Sequence, residues 1–283
     1  MPSAPLRFGF SPCPNDTFAF WAAVHGAVAG TCSLTAELAD IETLNEQAVR
    51  GDDAPAVTKL SLPALARCLD RYAVLSSGAA LGFGCGPLVV CRDSSFSLDD
   101  LGNARVAIPG VHTTANLLMS TLLPQAKETV PMRFDEIMAA VANGSCDAGL
   151  IIHESRFTYA QHGLRQLADL GVLWEQATNG PLPLGIIAAR RDLGVNVFRE
   201  VERMLRESVQ LARREPERPR AWIREHAQEM ADDVCDQHIA LYVNDFSEDL
   251  GDAGRRAIDE LLRRGRAAGL LPEGGSAFLE GDA

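Results

Sequence analysis

Through roughly the first 190 residues, short apolar and β-branched runs alternate with stretches whose apolar positions recur every three or four residues. The runs Arg7–Phe10, Ala56–Thr58, Ala73–Ser76, Pro87–Cys91, Arg105–Ile108, Ala148–Ile152 and Gly185–Ala189 predict strands. Between them Phe18–Val24, Thr43–Arg50, Ala64–Asp70, Ala115–Leu123 and Asp135–Asn143 predict helices. Alternation of this kind implies an α/β fold with parallel sheets covered by helices on both faces. The last third is helical. Val197–Arg214 places Phe198, Val201, Leu205, Val209 and Ala212 on one face, and Pro219–Glu229, Val234–Val243 and Gly254–Ala268 continue in the same way. Beyond Pro272 the Gly-rich tail is expected to fray.

A chain of 283 residues suits about two domains of about 150 residues each. Two Gly/Pro-rich entries into apolar strands, Ala80–Pro87 and Gly180–Leu184, look like an outward and a return crossover. The expected division is residues 1–86 plus 187–283 as a larger discontinuous α/β domain, with 87–186 as a smaller inserted one. A ligand cleft between two lobes follows from that division.

The balance of 47% hydrophobic and 23% charged residues is that of a folded chain with substantial cores. The formal charge of −12 argues against nucleic acid and anionic membrane as partners, because the summed field repels polyanions. A small anionic substrate remains open if the site supplies its own positive potential. No apolar run reaches the ~20 residues of a membrane span, and Met1 to Phe10 lacks the apolar segment of a secretory signal. Seven scattered cysteines without C-x-x-C fit free thiols, and no Cys/His cluster has zinc-ligand spacing. A cytoplasmic protein without metal is expected.

Candidate chemistry gathers at the carboxyl ends of the predicted strands, where open α/β sheets bind ligands. Arg7–Phe10 is followed by Asn15, Asp16 and Thr17, which can cap the next helix, and Ala56–Thr58 by Lys59, Leu60 and Ser61, with Ser61 a natural N-cap. Arg105–Ile108 is followed by Gly110, His112, Thr113 and Thr114. Each piece alone reads as a helix cap. Their recurrence on both expected lobes points instead to several helix N-termini serving one anion. His153, at the end of Ala148–Ile152, stands out as a general base, since an imidazole near its usual pKa of about 6.5 accepts a proton at neutral pH. Its neighbour Glu154 is not automatically its orienting partner. His112 lies in a turn that can touch ligand, whereas His25, His162, His226 and His238 read as surface or packing residues. Phosphate loops, the dinucleotide fingerprint, the nucleophile elbow and H-E-x-x-H are all missing from the sequence. Acid–base chemistry on a bound organic acid, or binding alone, is left.

The stretches Ser11–Phe18, Thr58–Ser61, Gly110 with His112–Ala115, and Gly149–Tyr159 together resemble the 1,4-dihydroxy-6-naphthoate synthase family of the futalosine route to menaquinone. The similarity extends to Pro181–Gly185 and Tyr242–Ser247. The resemblance implies a type II periplasmic-binding-protein-like fold of two lobes and two crossovers. It also implies a carbon–carbon lyase that cleaves cyclic dehypoxanthinyl futalosine, releasing a dihydroxyacetone fragment without cofactor. The family's proton acceptor falls on His153. Its substrate-contacting stretches fall on Lys59, Leu60 and Ser61 and on Thr113 and Thr114, and Asn15, Asp16, Asn45 and His112 complete the expected contacts of a small-molecule carboxylate substrate. The alternatives weighed against this reading are a non-catalytic solute-binding protein of the same fold and the chorismate-dehydrating sibling enzyme. A transcription-factor effector domain is disfavoured by the acidic charge and the lack of a DNA-binding helix pair.

Overall fold

A computed structural model of the chain describes residues 4–227 and 231–279. In chain order it contains β1 (Leu6–Phe10), α1 (Pro14–Val24), β2 (Leu34–Leu38), α2 (Ile41–Arg50), β3 (Val57–Leu60) and α3 (Leu62–Ala66). These are followed by β4 (Tyr72–Val74), β5 (Ala80–Gly82), β6 (Leu88–Cys91), β7 (Arg105–Ile108), α4 (Thr114–Leu122) and β8 (Glu128–Pro131). Next come α5 (Ile137–Ala142), β9 (Ala148–Ile151), α6 (Ser155–Thr158), β10 (Arg165–Asp169), α7 (Leu170–Thr178) and β11 (Leu182–Arg190). The chain closes with α8 (Val195–Arg214), α9 (Arg220–His226), α10 (Asp232–Tyr242), α11 (Asp245–Glu248) and α12 (Gly251–Ala267). Residues 228 and 229, the end of the expected helix Pro219–Glu229, lie outside the described residues.

Two units divide the chain: Met1–Gly82 with Pro183–Ala283, and Phe83–Leu182. The sheet of the first runs β2-β1-β3-β11-β4, with β5 paired to β11. Strand β1 is parallel to β2 and β3, but β11 is antiparallel to both β3 and β4. The sheet of the second runs β10-β6-β9-β7-β8. There β7 is parallel to β8 and β9, and β6 is antiparallel to β9 and β10. The expected all-parallel sheets are therefore mixed. A strand buried on both faces carries the same continuous apolar run in either direction, so its side chains do not encode its polarity.

In the first unit the core is built on Phe8, Phe10 and Phe20, whose ring centroids lie 4.7 to 5.2 Å apart. The predicted face of α8 packs here, with Phe198, Val201, Leu205 and Val209 fully buried. Ser208 on the same face is buried too, and its hydroxyl donates to Ala19 O at 2.7 Å and accepts from Ala23 N at 3.1 Å, pinning α8 to α1. The described part of the tail does not fray. Phe278 bridges to Val74, Val74 N donates to Ala277 O at 2.8 Å, and the Arg191 guanidinium reaches Ser276 O at 2.9 Å. In the second unit Gly149 of β9 lets α5 lie directly on the sheet. A Cβ there would sit 2.6 Å from Ile137 and 2.7 Å from Val141, closer than packed atoms tolerate.

Candidate active site

In the first unit the parallel pairing of Phe8 with Val57 and Gly9 with Thr58 makes the carboxyl ends of β1 and β3 neighbours. The segment after β1 does not end in a cap. Helix α1 begins at Pro14, whose missing N–H and fixed φ suit a first position, so Asn15, Asp16 and Thr17 fall inside its first turn. All three are buried. The Thr17 hydroxyl donates to Cys13 O at 3.1 Å. The Asp16 carboxylate turns toward β3, where the Lys59 ammonium lies 2.6 Å from both of its oxygens. Asp16 also accepts from Ser11 N at 3.1 Å, Ser11 Oγ at 2.6 Å and Asn15 Nδ2 at 2.8 Å.

Both ends of this ion pair are almost sealed from water, with side-chain exposures of 6% for Lys59 and 3% for Asp16. Two charges so placed lose their hydration, and only close mutual contact plus further hydrogen bonds offset that loss. The extra donors on Asp16 supply those bonds. Gly185 on the adjacent strand β11 leaves room for the lysine stem, since a Cβ there would come within 3.3 Å of Lys59 Cε. An ammonium has three N–H groups, and Asp16 takes two of them. One N–H of Lys59 is left over, and the pair as a whole carries no net charge.

Ser61 stands at the N-cap position of α3 but does not cap it. Pro63 in the first turn removes one of the N–H groups a cap would serve, and the Ser61 hydroxyl instead accepts from Asn45 Nδ2 at 3.1 Å. Asn45 Oδ1 accepts in return from Ser61 N at 2.9 Å, which ties α2 to the end of β3. Leu60 is a fully buried residue of β3. The structure thus joins Asn15, Asp16 and Lys59 in one network and Asn45 with Ser61 in another.

In the second unit β7 and β9 are parallel neighbours, with Val106 opposite Ala148 and Ala107 opposite Gly149, and their carboxyl ends carry the remaining candidates. Thr113 caps α4: its hydroxyl accepts from Asn116 N at 3.2 Å and donates to Gly110 O at 2.9 Å. Thr114 opens the helix and is buried, and His112 is half-buried in the preceding turn. Strand β9 stops at Ile151, two residues before His153. His153 is not the last strand residue, as the sequence pattern suggests, but a turn residue in the left-handed region with φ 57°. That conformation cannot continue a strand, and Glu154, buried and at φ −65°, leads into α6 instead. The ring of Phe134 meets the imidazole edge-on, with centroids 4.8 Å apart at 64°.

A non-glycine residue in the left-handed region costs roughly 1–2 kcal/mol, and such strain is concentrated at functional positions. His153→Gly is therefore expected to unfold at a higher urea midpoint than His153→Ala, a shift worth about 1 kcal/mol once multiplied by the slope m, because both lose the imidazole and only glycine relieves the backbone. Equal midpoints for the two variants would remove strain from the description of this turn.

Among the histidines set aside on the sequence as surface or packing residues, His238 is a packing residue that also makes a polar contact. It is buried on α10, and its Nε2 lies 2.9 Å from Asn15 Oδ1. The signal that could have revealed it is phase: Val234, Cys235, His238 and Tyr242 share the buried face of the helix. The cysteines of the described residues are free thiols, and burial pushes Cys68 and Cys85 up to about 12, which keeps both protonated and unreactive at neutral pH. No helix among the described residues is long and apolar enough to cross a membrane.

Comparison with known proteins adds a second line of findings. A protein family described as menaquinone biosynthesis matches residues 6–267. A Thermus thermophilus protein named 1,4-dihydroxy-6-naphtoate synthase is 50% identical over 265 residues, covering 94% of this chain and 95% of that protein. A Streptomyces coelicolor protein of the same name is 47% identical over 272 residues, with the same shares covered. Among solved structures, a protein from Archaeoglobus fulgidus superposes with a TM-score of 0.88 at 37% identity, covering 95% of this chain and 99% of that one. The alkanesulfonate-binding protein of Xanthomonas axonopodis pv. citri shares the fold at a TM-score of 0.70 and 17% identity, covering 96% of each chain. A Candida albicans protein with the generic periplasmic binding protein fold does so at 0.69 and 13%, covering 97% of this chain and 93% of that one. The fold is thus that of the periplasmic-binding-protein-like structures.

Proposed function

The chain belongs to the menaquinone biosynthesis family, and we propose that within it this protein is a 1,4-dihydroxy-6-naphthoate synthase. The reaction is a carbon–carbon lyase step that converts cyclic dehypoxanthinyl futalosine to the naphthoate with release of a dihydroxyacetone fragment, in the cytoplasm. The observation that carries this reading is near-full-length identity of 47–50% to two proteins of that name.

His153 is the general base. It takes the proton next to a substrate carbonyl and the electron pair moves into an enolate. As that enolate collapses, the pair of the breaking carbon–carbon bond leaves with the dihydroxyacetone fragment, which takes the proton back from His153, and the ring left behind becomes aromatic. The half-buried imidazole, held edge-on by Phe134 in a fixed turn, suits a base that must meet one carbon in one orientation. The residues that the sequence motifs give as substrate contacts are Lys59, Leu60, Ser61, Asn15, Asp16, Asn45, His112, Thr113 and Thr114. Donors of Lys59 and Ser61 together with neighbouring backbone N–H groups serve the substrate's carboxylate and the developing enolate oxygen, which explains how a chain of charge −12 takes an anionic ligand.

The purified protein incubated with cyclic dehypoxanthinyl futalosine is expected to form the naphthoate, followed by absorbance and mass. Tight binding of that compound with no product would instead favour a solute-binding protein, and turnover of chorismate in its place would favour the sibling dehydratase.

A further inference from the structure

Helix α10 buries Val234, Cys235 and Tyr242 in the first unit, and among them stands His238 with only 1% of its surface exposed. An imidazole placed there gives up its water and needs a partner inside. The partner of Nε2 is Asn15 Oδ1, at 2.9 Å. The other end of the Asn15 amide fixes the proton assignment: Nδ2 donates to Asp16 Oδ1 at 2.8 Å, so Oδ1 accepts and His238 Nε2 is the donor. Asp16 in turn holds Lys59 at 2.6 Å. The tilted Tyr242 ring, 4.6 Å from the imidazole, keeps the ring in place.

These contacts form one directional chain: His238 donates to Asn15, Asn15 donates to Asp16, and Lys59 donates to Asp16 from the other side. A flipped Asn15 amide would set its oxygen against the carboxylate and its NH2 group against the imidazole N–H. The first contact is repulsive whatever the imidazole tautomer, so Asp16 sets the amide orientation, and the Nε2–H bond from His238 holds the amide in the place where it donates to Asp16.

We propose that His238 is a positioning residue for Lys59. By fixing the Asn15 amide it fixes Asp16 Oδ1, and so aims the third N–H of Lys59 at an anionic oxygen of the substrate. The inference rests on Lys59 being a substrate contact, as argued above. An apolar residue of similar bulk would pack α10 equally well, so the chain of donors is what sets His238 apart from a packing residue.

Steady-state kinetics with cyclic dehypoxanthinyl futalosine test it. His238→Leu is expected to raise KM about tenfold, the value of a hydrogen bond serving a charged group, while kcat stays within about threefold. His238→Gln, whose amide nitrogen can reach the place of Nε2, is expected to bring KM back to within about threefold of the parent enzyme. Asn15→Ala cuts the chain from the other side with α10 untouched and should give the same rise, and adding His238→Leu to it should raise KM no further. Asn15→Ala and His238→Gln decide the matter should His238→Leu fail to fold. Binding of 2-naphthoate, measured by calorimetry on the same proteins, reads the same loss without turnover. Unchanged KM in Asn15→Ala, effects that multiply in the double variant, no rescue by glutamine, or no naphthoate binding by the parent protein would overturn the proposal. A parent protein that binds 2-naphthoate with the expected pattern among variants yet forms no product overturns the functional reading and leaves this inference standing.

Discussion

His153→Ala is expected to leave the protein folded and its KM within a few-fold, but to lower kcat by about a hundredfold or more, the usual worth of a positioned acid–base group. The split between the two constants follows from where the imidazole acts. A base that removes a proton from carbon contributes most when that bond is breaking and little when substrate merely sits in place. Near-normal kcat in a folded variant, with the circular dichroism of the parent, would take His153 out of the reaction. His153→Gln is the companion measurement, since an amide of similar reach keeps a donor and loses the basic nitrogen. It should be as slow as alanine if proton transfer is the role, and markedly faster if the imidazole only donates a hydrogen bond.

The second large effect is on stability. Asp16→Ala leaves the Lys59 ammonium buried without its counter-charge, a change that costs roughly 3–5 kcal/mol. Urea unfolding of the first unit, followed through Trp21 and Trp222, should shift to a lower midpoint, by that free energy divided by the slope m. Replacing both partners, Asp16→Ala with Lys59→Met, is expected to recover most of the loss, because the unpaired charge rather than the missing attraction does the damage. If Asp16→Ala unfolds at the parent midpoint, the pair is not the buried, close contact that the distances describe. Activity should be lost in both variants, so stability and function separate cleanly in the double replacement.

Which strands could be read from the sequence follows their position in the sheets. Interior strands β1, β3, β6, β7, β9 and β11 are buried on both faces and present as apolar runs. The ones the hydrophobic pattern misses include β2, β8 and β10, which end their sheets and keep partly exposed residues such as Thr35, Glu128 and Gln166. A strand with one wet side and only four or five residues has too little alternation to stand out from a loop. Strand β4 also ends a sheet, yet it is legible because Phe278 bridges to Val74 and the strand is fully buried.

At the candidate site the sequence identifies positions better than partners. Asp16 and Lys59 read as two separate ligand contacts, and nothing within a few residues of either foretells that they neutralise each other across 43 positions. Ser61 reads as a cap because its residue type and place are right, but Pro63 lies in the turn it would serve and Asn45 offers the hydroxyl a better bond. The turn at His153 escapes prediction for a different reason. Left-handed backbone at a histidine is a property of the surrounding packing, and no local rule asks for it.

The place of β11 between β3 and β4 also dictates an order of assembly during synthesis. The segment Phe83–Leu182 is continuous, so all its strands have been synthesised once residue 182 is made. The first sheet has to wait for residues 182–190 before β3 acquires its second neighbour. At an elongation rate of about 5–20 residues per second, that interval lasts on the order of ten seconds. During it the nascent chain carries an open apolar edge, and this stretch of time is when holding factors would do the most to keep it from sticking to other chains.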